Sequence, residues 1–264
     1  MIDKNKLGND LARIREISPL VHNITNYVAM NFTANALLAV GASPVMSHAV
    51  EETEEMISIA NSLVINIGTL DAYWVEGMKR AAAKAYELGK PWVLDPVGAG
   101  ATSYRTRTAL ELIEKFHPSI IRGNGSEIMA LTNYSIKSKG VDSSASSESA
   151  LQSAQQLAKE TGSVVVISGA TDFITDGSRI ECVKNGSGLM TKVTAMGCTA
   201  SSMVGVFAAI NNDPFEAAAH AMALISICGE IAAEKCPSPG SLQTNFVDEL
   251  FTITPNELAN SLKQ

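Results

Sequence analysis

Four polar positions follow short apolar runs in this chain. Asp95 follows Trp92-Val93-Leu94, Arg122 and Asn124 close Ser119-Ile120-Ile121, and Ser168 follows Val164-Val165-Val166-Ile167. Ligands of open α/β sheets collect beyond the carboxyl ends of the strands, so an acid, a cation and hydroxyl or amide groups there suit nucleotide phosphates. The competing reading is that each residue is an ordinary polar strand end. Asn124-Gly125-Ser126-Glu127 also reads two ways. It matches a capping box, with Glu127 reaching back to Asn124. Alternatively, Glu127 joins Asp95 as an oxygen ligand for Mg²⁺, which commonly takes one or two carboxylates. The third constellation is Val193-Thr194-Ala195-Met196-Gly197-Cys198-Thr199-Ala200, a turn of small residues leading into a helix. Unpaired N–H groups at such a start, with the helix dipole, form an anion hole for phosphate charge. Gly197 and Cys198 are the catalytic candidates, and the dipole there is expected to lower the thiol pKa.

These residues need a scaffold. Leu63 to Ile67, Trp92 to Leu94, Ser119 to Arg122 and Val164 to Ile167 are apolar without polar alternation, as strands covered on both faces of a parallel sheet are. Helical segments are expected between them, about Glu51 to Asn61, Asp71 to Leu88, Tyr104 to Phe116 and Ser147 to Lys159. The alternation predicts an α/β fold with a mostly parallel sheet and helices on both faces. Asp172 to Thr175 and Arg179 to Val183 flank Asp176-Gly177, which predicts a two-residue hairpin turn at an antiparallel edge. Two closing helices are expected, one from near Cys198 and one from Asp213-Pro214. Ser143 to Ser147 reads as a surface loop, and residues 1–264 as one domain.

Of the 264 residues 46% are hydrophobic and 5% aromatic, and the net charge is −7 with no basic stripe. Nucleic acid and anionic membranes are therefore not expected partners. The four cysteines lack C-x-x-C spacing, and neither a signal peptide nor a membrane span is read, so a cytoplasmic protein is expected. No G-x-x-x-x-G-K-[S/T] loop occurs, and the G-x-G at Gly98 to Gly100 lacks the third glycine of a dinucleotide fingerprint.

Further stretches make a family resemblance specific: His22 to Val28, Asn31 to Asn35, Gly41 to Ser47, Leu63 to Leu70, Leu94 to Ala99, Gly123 to Ile128 and Met196 to Cys198. In this order they resemble the hydroxyethylthiazole kinases of thiamine biosynthesis, a branch of the ribokinase-like fold. The resemblance implies ATP-dependent phosphorylation of 4-methyl-5-(2-hydroxyethyl)thiazole, with Mg²⁺, in a homotrimer whose pockets lie between subunits. It implies Asn23, Asn26 and Met46 as the thiazole wall, with Ala195 at the turn. Arg122 and Ser168, with Thr194 and Asn124, fall on the ATP side, and Asp95 and Glu127 are the metal and phosphate acids. Ribokinase-like enzymes usually carry an aspartate base where this chain has Cys198, and a glycine is more typical at Ala195. If the turn needs positive φ, Ala195 is strained. The alternatives are a kinase for another small alcohol, such as hydroxymethylpyrimidine, and a non-catalytic thiazole or nucleotide sensor.

Overall fold

The computed structural model describes residues 1–137, 147–236 and 238–263. Of the serine-rich stretch, Ser143 to Ser146 lie outside the described residues, while Ser147 opens a helix. Six strands run parallel: β1 (Leu20–Ile24), β2 (Ser43–Met46), β3 (Ser62–Asn66), β4 (Trp92–Asp95), β5 (Ile120–Asn124) and β6 (Val164–Ser168). β7 (Asp172–Thr175) and β8 (Ile180–Val183) add an antiparallel edge, giving the order β2-β1-β3-β4-β5-β6-β7-β8. The four apolar runs are β3 to β6. β1 and β2 escape that criterion because His22 and Asn23 interrupt one and Ser43-Pro44 opens the other. Pro44 is tolerated because β2 is an edge strand.

The helices are α1 (Lys4–Ile17), α2 (Met30–Val40), α3 (Thr53–Ile59), α4 (Ala72–Glu87), α5 (Ser103–Phe116), α6 (Gly125–Lys137), α7 (Ser147–Thr161), α8 (Met196–Ala208), α9 (Pro214–Glu234), α10 (Pro239–Thr252) and α11 (Pro255–Ser261). Strand side chains alternate between two cores. Val64 and Val93 pack with α1, α2 and α8 to α11, while Leu63, Ile65 and Leu94 pack with α3 to α7. α9 is long and apolar enough to cross a membrane by length and composition, yet most of it is buried within the protein.

Two expectations are corrected. The β7–β8 connection has four residues rather than two, because Thr175 pairs with Ile180. Asp176 Oδ1 accepts from the backbone N–H groups of Ser178 and Arg179, at 2.9 and 2.6 Å, and draws Arg179 off the ladder. Among the described residues, four α-helices and a 3₁₀ turn at Gly188–Lys192 follow the hairpin rather than two helices. α10 and α11 each begin with proline after Ser238 or Thr254, the same device as Asp213-Pro214.

His22 shows what burial in β1 costs. Its Nε2 donates to the Ser47 carbonyl at 2.9 Å, leaving Nδ1 buried without a partner. Desolvation lowers its pKa to about 4 from 6.5. The unfolded chain therefore binds a proton that the folded protein refuses between these values, and this contribution to stability falls as pH falls through that window. The stability advantage of the protein over His22→Gln should shrink by about 3 kcal/mol from pH 7 to pH 4, as read by urea melts. A constant difference would show that the ring is protonated in the fold.

Candidate active site

The carboxyl ends of β1, β3 and β4 meet the first turn of α8 in one line of hydrogen bonds. Asp95, 1% exposed, accepts at Oδ2 from Asn66 Nδ2 and from Ser201 Oγ, both at 2.7 Å. Asn66 Oδ1 accepts from Asn26 Nδ2 and from the Gly68 N–H, both at 2.9 Å. Asn26 Nδ2 also donates to Cys198 Sγ at 3.2 Å. Burial pushes Asp95 up to about 6, Arg122 pulls it down, and the Glu127 charge adds to the rise. The Cys198 thiol is also pushed up, first by burial and then by the Asp95 charge, against the hydrogen bond from Asn26. The lowering expected from the helix dipole does not prevail, because desolvation outweighs it and the nearest acid opposes it.

Ala195 is the N-cap of α8, at φ 67° and ψ −5°, and makes no side-chain cap bond. The Thr199 N–H closes the first turn onto the Ala195 carbonyl, so the N–H groups of Met196, Gly197 and Cys198 precede any helical acceptor. Arg122 donates from Nη1 to the Gly197 carbonyl at 3.0 Å, and a Cβ at position 197 would lie 3.1 Å from that nitrogen. Behind this turn opens a cavity of about 530 Å³, lined by Arg122, Ser168, Asp172, Gly197 and Ser226 among others. The left-handed conformation of Ala195 costs a Cβ-bearing residue about 1 kcal/mol. Ala195→Gly should therefore raise unfolding stability by about that amount in denaturant melts; an unchanged midpoint would remove the strain argument.

Glu127 closes the capping box. Its Oε2 accepts from the Asn124 N–H at 2.8 Å, and Asn124 Oδ1 accepts from the Glu127 N–H at 3.0 Å. Its Oε1 accepts from the Gly98 N–H at 2.8 Å, which ties the turn after β4 to α6. The structural and functional readings of this acid are therefore compatible. Asp95 and Glu127 each use two acceptor sites of the roughly four on a carboxylate. Among the described residues no three His, Cys, Asp or Glu side chains gather as a metal site. Two acids with acceptor capacity to spare fit Mg²⁺, which completes its shell with water and phosphate oxygens.

The sequence profile of the Hydroxyethylthiazole kinase family matches residues 11–256. A hydroxyethylthiazole kinase of Leptospira biflexa is 54% identical over 253 residues, spanning 96% of this chain and 95% of that one. The chain belongs to the hydroxyethylthiazole kinase family. The hydroxyethylthiazole kinase structure of Pyrococcus horikoshii superposes with a TM-score of 0.91 at 43% identity, covering 98% of this chain and 97% of the other. A ribokinase-like superfamily protein of Enterococcus faecalis, 17% identical with a TM-score of 0.62, covers 88% of this chain and 86% of its own and shares the fold.

In this hydroxyethylthiazole kinase family member, Asn26, Asp95, Arg122, Gly197 and Cys198 come together around the start of α8. Arg122 and Ser168 line the cavity, while Asn124 is an exposed helix cap and Thr194 an exposed turn residue, neither of them on its wall. Asn23 and Met46 are register partners on β1 and β2, with Asn23 Oδ1 buried and unpartnered. The sequence reading passed over Asn66, Ser201 and Asp172. Asn66 had a signal, a polar side chain within the otherwise apolar run Leu63 to Ile67 and at the end of β3; Ser201 and Asp172 had none beyond ordinary helix and strand composition.

Proposed function

We propose that the protein transfers the γ-phosphate of ATP to the primary alcohol of 4-methyl-5-(2-hydroxyethyl)thiazole, yielding the thiazole phosphate used for thiamine. The observation that carries this reading is the uncapped first turn of α8, which opens between the Arg122 cavity and the Cys198 thiol. ATP would occupy the cavity with its phosphates toward Arg122 and Ser168. The thiazole would lie against Asn23 and Met46, where a soft thioether suits a sulfur heterocycle. The N–H groups of Met196 to Cys198 would hold the transferring group, whose charge grows on its equatorial oxygens. Cys198, with its pKa raised, stays a thiol at neutral pH. It accepts from Asn26 and keeps its S–H for the alcohol oxygen, so it orients the nucleophile rather than deprotonating it. Asp95 and Glu127 are the residues that would hold Mg²⁺, which when bound neutralises phosphate charge.

One cytoplasmic domain of residues 1–264 and a homotrimer with pockets between subunits belong to the same reading. Tyr27 and Val28, beside Asn26, are 63% and 62% exposed, an apolar surface that a second subunit would cover. ADP release with ATP, Mg²⁺ and hydroxyethylthiazole tests the reaction, beside hydroxymethylpyrimidine and a control without alcohol. Thiazole-dependent ADP is expected. Pyrimidine-dependent ADP would overturn the substrate, and thiazole binding without ADP would make the protein a sensor.

A further inference from the structure

We propose that Asn66 is a positioning residue that acts through Asn26 to hold the Cys198 thiol against the alcohol, with Gly68 as the seat of the Asn26 amide. The inference rests on the kinase reading and extends it to residues outside the substrate and nucleotide walls.

The orientation of both amides is determined by their partners. The Gly68 N–H can meet only an acceptor, so Oδ1 of Asn66 faces it, and Nδ2 is thereby turned to the Asp95 carboxylate. Asn26 has its Oδ1 on the Ala29 N–H at 3.1 Å, which turns its Nδ2 toward Asn66 and Cys198. Both Nδ2 hydrogens are then used, one on each partner. Asn66 is 1% exposed and Asn26 5%, so neither amide has water as a substitute partner. The thiol thus takes its position from residues 172 and 132 places earlier in the chain, and the line ends on the acid at the phosphate side.

Gly68 supplies independent support. A Cβ there would lie 2.6 Å from Asn26 Nδ2 and 2.8 Å from its Cγ, closer than any real contact. The backbone cannot yield easily, because Arg105 donates to the Ile67 carbonyl and to the Gly68 carbonyl, both at 2.8 Å. A methyl at this position would therefore move the Asn26 amide rather than the strand end. Gly68 has no positive φ, so alanine brings no backbone strain of its own.

The test is a pair of double-mutant cycles, Asn66→Ala with Cys198→Ala and Gly68→Ala with Cys198→Ala, on folded protein verified by thermal melts. Each single variant should lower kcat about tenfold or more while KM for ATP moves less than about threefold. Adding Cys198→Ala to Asn66→Ala or to Gly68→Ala should lower kcat no further, because the thiol is already out of place. Multiplicative losses, or an unchanged kcat in either folded single variant, would overturn the relay. If Asn66→Ala does not fold, the Gly68 cycle decides alone. A second readout needs no turnover: the iodoacetamide alkylation rate of Cys198 at fixed pH, resolved by peptide mass. It should fall at least threefold in Gly68→Ala, because the thiolate that reacts loses the N–H of Asn26 that favours it, and an unchanged or faster rate counts against the relay. If wild type makes no ADP while alkylation responds as expected, the kinase reading fails and the relay stands.

Discussion

Asp95→Asn should give a protein that is more stable at pH 8 and about a hundredfold to a thousandfold less active. The carboxylate is wholly buried, and its folded pKa is raised from 3.8 to about 6. A raised folded pKa means that the folded state holds the proton more tightly than the unfolded chain. Its stabilising effect is full below 3.8 and is lost as pH rises through about 6. At pH 8 the fold therefore carries an ionised group at a cost of about 3 kcal/mol, with the attraction of Arg122 already included. Asparagine keeps an acceptor for Asn66 and Ser201 and removes the charge. On the proposed reading the carboxylate would hold Mg²⁺ for the phosphates, and the activity loss has the size expected when such electrostatic stabilisation is removed. Urea melts at pH 4 and pH 8, with ADP release, check both halves. The stability gain should be near zero at pH 4; the same gain at both pH values, or retained turnover, would refute the assignment.

Arg122→Ala should lower kcat/KM for ATP by about a hundredfold to a thousandfold. The side chain is 8% exposed, lines the cavity proposed for the nucleotide and holds the Gly197 carbonyl in the first turn of α8. Its Nε is buried without a partner, so the guanidinium has donor capacity left for a ligand. Removing it also takes one donor from the Gly197 carbonyl, which keeps the Ser201 hydroxyl at 3.4 Å. Arg122→Lys should recover little, since an ammonium cannot serve the carbonyl and a phosphate with the same fork. Initial rates at varied ATP, with melts to confirm folding, separate the outcomes. A loss confined to stability would make Arg122 a structural clamp for α8 only.

The difference between these residues and the ones that escaped notice is physical. β3, β4, β5 and β6 are legible because a strand covered on both faces is largely apolar, and polar residues then stand out, Asp95 and Ser168 at strand ends and Arg122 in the middle of β5. The capping box at Asn124 and Glu127 is legible because its four residues are adjacent. The positive φ of Ala195 follows from a turn that enters a helix abruptly. Local sequence carries such features because their partners lie within a few residues. β1, with two polar side chains buried at His22 and Asn23, follows no local pattern, and its burial depends on neighbours from β2 and β3.

Tertiary structure alone decided the site's chemistry. Asn26, Asn66, Asp95 and Cys198 are spread over more than 170 residues, and only the parallel sheet brings β1, β3 and β4 side by side against α8. The charge state of the thiol could not be read from its place at a helix start. The dipole is a property of the helix, but desolvation and the Asp95 charge are properties of what packs around it, and those two prevail. Periodicity and capping are short-range, so residue order specifies them directly. Burial and charge pairing depend on distance in space, which residue order sets only through the completed fold.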